Sequence, residues 1–425
     1  MKKIALPALC ALSLPAMAQE LPLQKEPAAN SFNPKISLIF DGVFYQDSEN
    51  GEGASALMDA PGISGGHGHE HEEEGGDEHG HDEHGHDLSE GFNLREQELT
   101  ISASIDNYFD GFAVIAFSEE EVEIEEAYFT TRRLPAGLTL KGGKFLSGIG
   151  YHNARHVHSW DFTDQNLAYI GTLGDHGLSD KGLQLTWLPN LPVYTLLGVE
   201  WLQGDEQERF GTLAEDAEDA LGLKETESGA KIATAFAKVS PNLGDDHALQ
   251  FGAWVATAKQ DQLVLEHEHD GVVEEFGLEG DAQLWGLDLV YKWDSAQAYG
   301  AGDFTLQAEY LSLEKDWNIM SGDEAGESAS GEQDGMYVQA VYGIAPRWKA
   351  GLRYDATGMT NEFKLPEETE SLDESKRVSG VVTWYPTEFS FIRLQYANAE
   401  IGDEDFDQLY IQFNYSLGAH GAHTF

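Results

Sequence analysis

The 425-residue chain holds 75 aspartate and glutamate residues against 25 lysine and arginine, a formal net charge of −50. Such a field repels nucleic acid and anionic membrane surfaces and favours cations. After the first eighteen residues no stretch is apolar for long enough to make a transmembrane helix, so any membrane-spanning role falls to β-strands.

Residues 1–18 begin with two lysines, continue through the apolar run from Ile4 to Leu14 and close on Ala16-Met17-Ala18. This pattern reads as a secretory signal peptide with an A-x-A cleavage site. Residues 19–34 then read as a short periplasmic segment. The one cysteine, Cys10, falls inside the signal, so the exported chain has no disulfide. Stability must come from a large soluble core or from a closed, hydrogen-bonded barrel.

Beyond residue 35 apolar and polar residues alternate. Leu99, Ile101 and Ala103 interleave with Thr100, Ser102 and Ser104; Trp348, Ala350, Leu352 and Tyr354 with Lys349, Gly351, Arg353 and Asp355; Leu409, Ile411, Phe413, Tyr415 and Leu417 with Tyr410, Gln412, Asn414 and Ser416. Period-2 alternation marks strands with one apolar and one polar face. Sixteen are predicted, at 35–45, 92–106, 111–118, 122–134, 138–146, 181–189, 193–203, 230–240, 247–258, 281–293, 303–315, 335–345, 348–356, 377–385, 389–399 and 407–418. Their connections fall into two length classes. Short, turn-rich links alternate with long acidic ones at 46–91, 147–180, 204–229, 259–280, 316–334 and 357–376, with shorter members of the second class near 119–121 and 400–406. That asymmetry predicts an all-β fold, a transmembrane antiparallel barrel over 35–425 with both termini periplasmic and the long loops outside. Lys349, Arg353 and Arg393 should line the lumen, because a cation facing lipid near mid-membrane costs about 2–4 kcal/mol. Trp187, Trp201, Trp293, Trp348, Trp384 and Tyr385, near strand ends, suit interfacial girdles.

The first long loop contains residues 67–87, HGHEHEEEGGDEHGHDEHGHD, with seven histidines, nine carboxylates, five glycines and no apolar residue. His67, His69, His71, His79, His81, His84 and His86 offer imidazole donors beside carboxylates, the usual ligands of divalent transition metals. The loop 147–180 is the third on the outer side. It carries His152, His156 and His158 in H-x-x-x-H-x-H spacing, which permits three ligands on one ion with Asp161 or His176 completing a tetrahedron. The same histidines could equally hydrogen-bond the loop to the barrel wall. His267 and His269 offer further capture ligands in another outer loop. His420 and His423 read as a C-terminal packing segment and His247 as a turn residue. G-x-S-x-G occurs once, at residues 62–66 inside the first long loop and not between a strand and a helix, and H-E-x-x-H does not occur, so no enzymatic activity is expected.

The chain resembles bacterial outer-membrane porins. It is similar, more narrowly, to proteobacterial barrel proteins with a histidine-rich first loop, the zinc-regulated outer-membrane receptor group. Three segments carry that resemblance: residues 67–87, YHNARHVHSWDF at 151–162 and SLGAHGAHTF at 416–425. It implies location in the outer membrane of a Gram-negative bacterium, zinc as the ion handled and a third loop folded into the lumen as a constriction. The expected function is an outer-membrane pore for divalent metal, with zinc captured by the first loop and passed through the lumen. The alternative is a general cation-preferring diffusion porin whose His-rich loop buffers metal or binds a surface partner. Expected partners are divalent metal ions, outer-membrane lipid and further copies of the chain in a homotrimer; nucleic acid is excluded.

Overall fold

The computed structural model describes residues 34–58, 88–118, 122–205, 207, 209–212, 221–224, 228–269, 272–322, 325–366, 369–371 and 373–418, without the side chains of 265–269 and 272–276. The segments read as signal peptide and periplasmic lead, the seven histidines of residues 67–87, His420, His423 and Phe425 lie outside the described residues. So do the side chains of His267 and His269.

The described residues form nineteen strands in one closed antiparallel sheet. In chain order they are β1 (Lys35–Asp47), β2 (Gly91–Leu94), β3 (Gln97–Ser104), β4 (Phe109–Phe117), β5 (Val122–Thr131), β6 (Leu138–Leu146), β7 (Ser179–Trp187), β8 (Tyr194–Leu202), β9 (Ile232–Ser240) and β10 (His247–His269). They continue with β11 (Val272–Trp293), β12 (Phe304–Ile319), β13 (Ser328–Ala345), β14 (Trp348–Thr357), β15 (Glu362–Lys364), β16 (Thr369–Ser371), β17 (Ser375–Thr387), β18 (Ser390–Ile401) and β19 (Glu404–Gly418). Three are short: β2 caps the outer end of β1, and β15 and β16 form a small hairpin over the outer end of β13. The other sixteen are the staves, and β1 closes the ring by pairing with both β3 and β19. The predicted sixteen-stranded barrel is therefore the observed one.

Side-chain direction follows the alternation. Leu352, Tyr354, Phe413, Tyr415 and Leu417 are exposed on the outer wall, while Arg353, Asp355, Gln412 and Asn414 are buried within. Arg393 is 1% exposed and Arg353 2%, and Lys349 shares the inward parity of Arg353, with its ammonium over the Tyr385 ring. All three cations avoid lipid, as the strand pattern predicts. Trp187, Trp293, Trp348 and Trp384 stand exposed at the turn ends of their strands, and Trp201 near the opposite end of β8. Trp348 and Trp384 stack at 5.8 Å across the β14–β17 pair.

Three predicted boundaries move. The strand predicted at 92–106 breaks into β2 and β3, because the Gln97 side chain replaces a rung of the ladder: its Nε2 donates to the Asp41 carbonyl at 2.8 Å and its Oε1 accepts from the Asp41 amide at 3.2 Å. Arg95 and Glu96 thereby fall between the two strands, although the Arg95 amide still donates to the Asp41 carbonyl at 3.1 Å. The loops predicted at 259–280 and 316–334 are mostly strand, since β10 to β13 run far past the neighbouring staves. Their acidic residues, such as Asp281, Glu314 and Asp316, alternate with the inward Leu284, Leu313, Lys315 and Trp317. Above the membrane, water replaces lipid on the outer face, so charge there no longer signals a loop.

That tall wall encloses an apolar core. Leu278, Leu284, Leu311, Leu313, Trp317 and Phe363 pack with Phe145, Ile149, Tyr169 and Leu173, which belong to the third loop or its entry. Within this loop α2 (Leu167–Leu173) is wholly buried; the Asn166 side chain caps it by accepting from the Tyr169 amide at 3.1 Å, and Gly174 ends it with φ of 85°. The helix lies so close to β13 that a Cβ on Gly335 would come within 2.7 Å of the Ala168 Cα. A second short helix, α1 (Gly53–Met58), descends from the first loop, where Leu57 packs against Leu167, Ile170 and Phe406.

Candidate metal centre between the constriction loop and the wall

The third loop enters the lumen and ties itself to opposite arcs of the wall. On one side arginines hold residues 160–165. Asp164 Oδ1 meets Arg353 Nη2 and its Oδ2 meets Arg377 Nη1, both at 2.7 Å. Arg377 Nη2 donates to the Gln165 carbonyl at 2.6 Å; Arg393 donates to the Trp160 carbonyl and Arg95 to the Thr163 carbonyl, each at 2.7 Å. Burial disfavours the Asp164 charge, but Arg353 and Arg377 outweigh it and hold the carboxyl down at about 2.

On the other side imidazoles meet carboxylates. His156 Nε2 lies 3.0 Å from Glu126 Oε2, while its Nδ1 lies 3.4 Å from Glu125 Oε1 and 3.7 Å from Glu98 Oε2. His158 Nδ1 is 2.8 Å from Glu98 Oε1, and the two imidazoles stack nearly parallel at 5.7 Å. Burial works against charge on His156, yet the three glutamates raise its pKa well above the usual imidazole range. A cleft of about 30 Å³, lined by Glu96, Glu125, His156, Asp175 and His176 among others, opens beside this cluster. That volume matches one water molecule or one ion.

The wall carboxylates owe their direction to local backbone features. Glu98 has the inward parity of Thr100 and Ser102 on β3. Glu125 and Glu126 are adjacent in sequence, so regular alternation would send one of them to lipid. A β-bulge prevents this: Val114 pairs with Glu126 and Ile115 with Ile124, leaving Glu125 as the extra residue. Ile124 therefore remains on the outer wall, 53% exposed, while both carboxylates approach His156.

The predicted convergence of His152, His156 and His158 is realised only in part. His156 and His158 come together; His152 does not join them. Its Nε2 lies 2.5 Å from Gln165 Oε1, and its ring is stacked on Trp160 at 4.5 Å and packed against Tyr169 and Tyr337. Burial pushes its pKa down to about 3, so this imidazole stays neutral and anchors the loop. Asp161 sits in the field of Arg393, on the arginine side. His176 lines the cleft, with its Nε2 3.4 Å from Asp175. Glu98, Glu125 and Glu126 were absent from the sequence-derived ligand set. Glu98 was legible from strand parity, but the other two depend on the bulge.

A closed barrel of sixteen antiparallel staves, apolar outside and narrowed by an inward third loop, is the architecture of outer-membrane porins, and the chain has that fold. OmpT of Vibrio cholerae, in a form lacking loop L8, superposes with a TM-score of 0.52 at 10% identity, over 91% of this chain and 99% of that one. The outer-membrane channel DcaP of Acinetobacter baumannii gives 0.52 at 12% identity (91% and 96%), and an anion-selective porin from Comamonas acidovorans gives 0.51 at 8% (91% and 99%). These likenesses establish the fold. No family model matches the sequence. An uncharacterized protein of Aquifex aeolicus (strain VF5) is 34% identical over 410 residues, covering 93% of this chain and 80% of the relative. The chain belongs to the same family as that protein.

Proposed function

We propose that the protein is an outer-membrane pore for divalent metal, zinc in particular, which the His-rich first loop captures and the lumen conducts inward. The observation that carries this reading is where the two ends of that loop are held. Its first end, α1, is buried against the constriction helix α2, and the Met58 carbonyl accepts from Arg209 Nη2 at 2.5 Å. Its second end, Leu88, packs on Val43, Tyr45 and Tyr410 and leads through β2 to Glu96 and Glu98. The two described ends of that loop, Met58 and Leu88, are thus both held against the barrel interior, and the second runs directly into the strand that carries Glu98.

The lumen favours a cation. Glu98, Glu126, Glu200, Asp288 and Glu309 are all buried along one arc, where they outnumber Lys141 and Lys238, although the third loop bonds Glu200 and Glu309 as it does the arginines of the other arc. The resemblance of the sequence to the zinc-regulated receptor group supports zinc as the ion, and a trimeric form of Vibrio OmpT supports a homotrimer. Zinc accumulation by cells expressing the intact protein, beside cells expressing a form without residues 67–87, tests the reading. Uptake should fall sharply without the segment. Equal uptake would favour a general cation-preferring porin whose first loop only buffers metal.

A further inference from the structure

We infer that the seam between the third loop and the wall is a second metal site, in which Glu98, Glu125 and His156 bind one divalent transition-metal ion, zinc or its spectroscopic substitute cobalt(II). The inference rests on the proposed pore in assigning the site a place on the ion's route, but the binding chemistry stands by itself.

The donor atoms are spaced for a metal. One atom from each of the three residues can be chosen so that all lie within 4.8 Å of one another. His156 Nδ1 is 3.4 Å from the nearer Glu125 oxygen and 3.7 Å from Glu98 Oε2. A tetrahedral zinc with bonds of about 2.0–2.2 Å separates its ligands by roughly 3.4 Å. These gaps are long for hydrogen bonds and suited to ligands sharing an ion.

The outer partners are also in place. A metal-bound imidazole ordinarily gives its other ring N–H to a carboxylate, which fixes the tautomer. Glu126 occupies that position, 3.0 Å from His156 Nε2, leaving Nδ1 for the ion. His158 holds Glu98 Oε1 at 2.8 Å and so turns Oε2 toward the site.

A separate observation points to a cation as the partner of these carboxylates. Glu98 Oε2 and Glu125 Oε2 are both buried without a hydrogen-bond partner, and the Glu98 side chain is only 6% exposed. Buried carboxylate oxygens ordinarily find a donor or a metal. Three carboxylates face two imidazoles at this seam. A divalent ion bound by Glu98, Glu125 and neutral His156 offsets both ligand charges. With three protein ligands the fourth position is left to water, which suits an ion that must exchange.

The test uses the full-length protein in detergent with the seven histidines of residues 67–87 changed to glutamine, so that the first loop contributes no imidazole. Titration with cobalt(II), followed by its visible absorption and by displacement with zinc, should show one ion per chain. Glu98→Gln combined with Glu125→Gln should abolish that binding. Glu126→Gln should weaken it roughly 10- to 100-fold, as is usual when a partner of a metal-bound histidine is lost. Glu123→Gln, on the same strand but paired with Lys144, should leave it unchanged. His156→Gln supplies an independent check should the double variant fold poorly, since glutamine can still reach Glu126 but offers no imidazole. No stoichiometric cobalt in the glutamine-loop protein, or binding that survives both Glu98→Gln/Glu125→Gln and His156→Gln, overturns the site. Cellular zinc uptake is read separately: an intact protein that fails to raise uptake but binds cobalt at the seam would remove the transport reading and leave the site.

Discussion

Two parts of one loop meet the wall in opposite ways. Residues 160–165 are held by arginine forks with contacts of 2.6 to 2.7 Å, directed at carbonyl oxygens and at a single carboxylate. A few residues earlier, His156 faces three glutamates, at distances that lengthen to 3.4 and 3.7 Å, and carboxylate oxygens are left over. Arginine is always charged and its planar fork matches oxygen pairs, so the first contact is a fixed anchor. Imidazole exchanges protons and metals near neutral pH, so the second is a contact whose strength depends on what is bound. The arginine side thus fixes residues 160–165, and the imidazole side is available for chemistry.

The sharpest way to break this contrast is to remove Asp164. Asp164→Asn removes one of the two carboxylates on Arg353 and Arg377 and leaves Asp355, at 3.5 and 2.7 Å, as the other, so the cost should lie below the ~3–5 kcal/mol of orphaning a buried charge. The third loop should leave the wall, raising single-channel conductance in planar bilayers and lowering the unfolding temperature. Unchanged conductance would mean that the apolar contacts of α2 alone hold the constriction.

A smaller effect is expected at the imidazole side. Glu98→Gln with Glu125→Gln removes surplus buried charge, so the metal-free barrel should be as stable as the parent or slightly more so. Zinc should raise the unfolding temperature of the glutamine-loop parent, since a ligand at a hundredfold excess over its Kd stabilises by about 2.7 kcal/mol. It should not do so for the double variant. An equal zinc-induced shift in both would disconnect these glutamates from the metal.

Proton linkage sharpens the comparison further. His152 has its pKa lowered to about 3 in the folded protein, against an ordinary value of 6.5. Below pH 6.5 the unfolded chain takes up a proton that the folded one refuses, so stability declines as pH falls from 6.5 toward 3. Asp164, held at about 2, contributes stability that is complete above its ordinary 3.8 and lost between there and 2. Acid unfolding curves should therefore show two successive losses. His152→Phe, which keeps a ring against Trp160, should flatten the upper one and leave the lower one in place; an unaltered upper slope would assign it to other groups.

The smallest effect concerns Glu123, whose bond to Lys144 is partly exposed. Exposed ion pairs contribute little, about 0–1 kcal/mol at the median. Glu123→Gln should shift the unfolding temperature by no more than a degree or two, and a large shift would show that this part of β5 tolerates no change.

Much of this architecture was already written in the order of residues. Alternation with period 2, together with two classes of connection, determines the number of staves, the outward apolar face and the rank of the constriction loop, because strand direction repeats locally. The inward Arg353 and Arg393 followed from the same parity, and the density of histidine and carboxylate in residues 67–87 is legible without any fold. Tertiary structure alone decided which histidines meet which acids. His152, equal to His156 in sequence spacing, is drawn under Trp160 by packing, whereas His156 reaches β3 and β5, whose glutamates precede it by 30 to 58 positions in the numbering. The bulge at Glu125 arises from pairing with β4, and the break at Arg95 and Glu96 from the bond of Gln97 to Asp41. Both depend on a partner strand, and a period read along one strand contains no information about where its neighbour skips a residue.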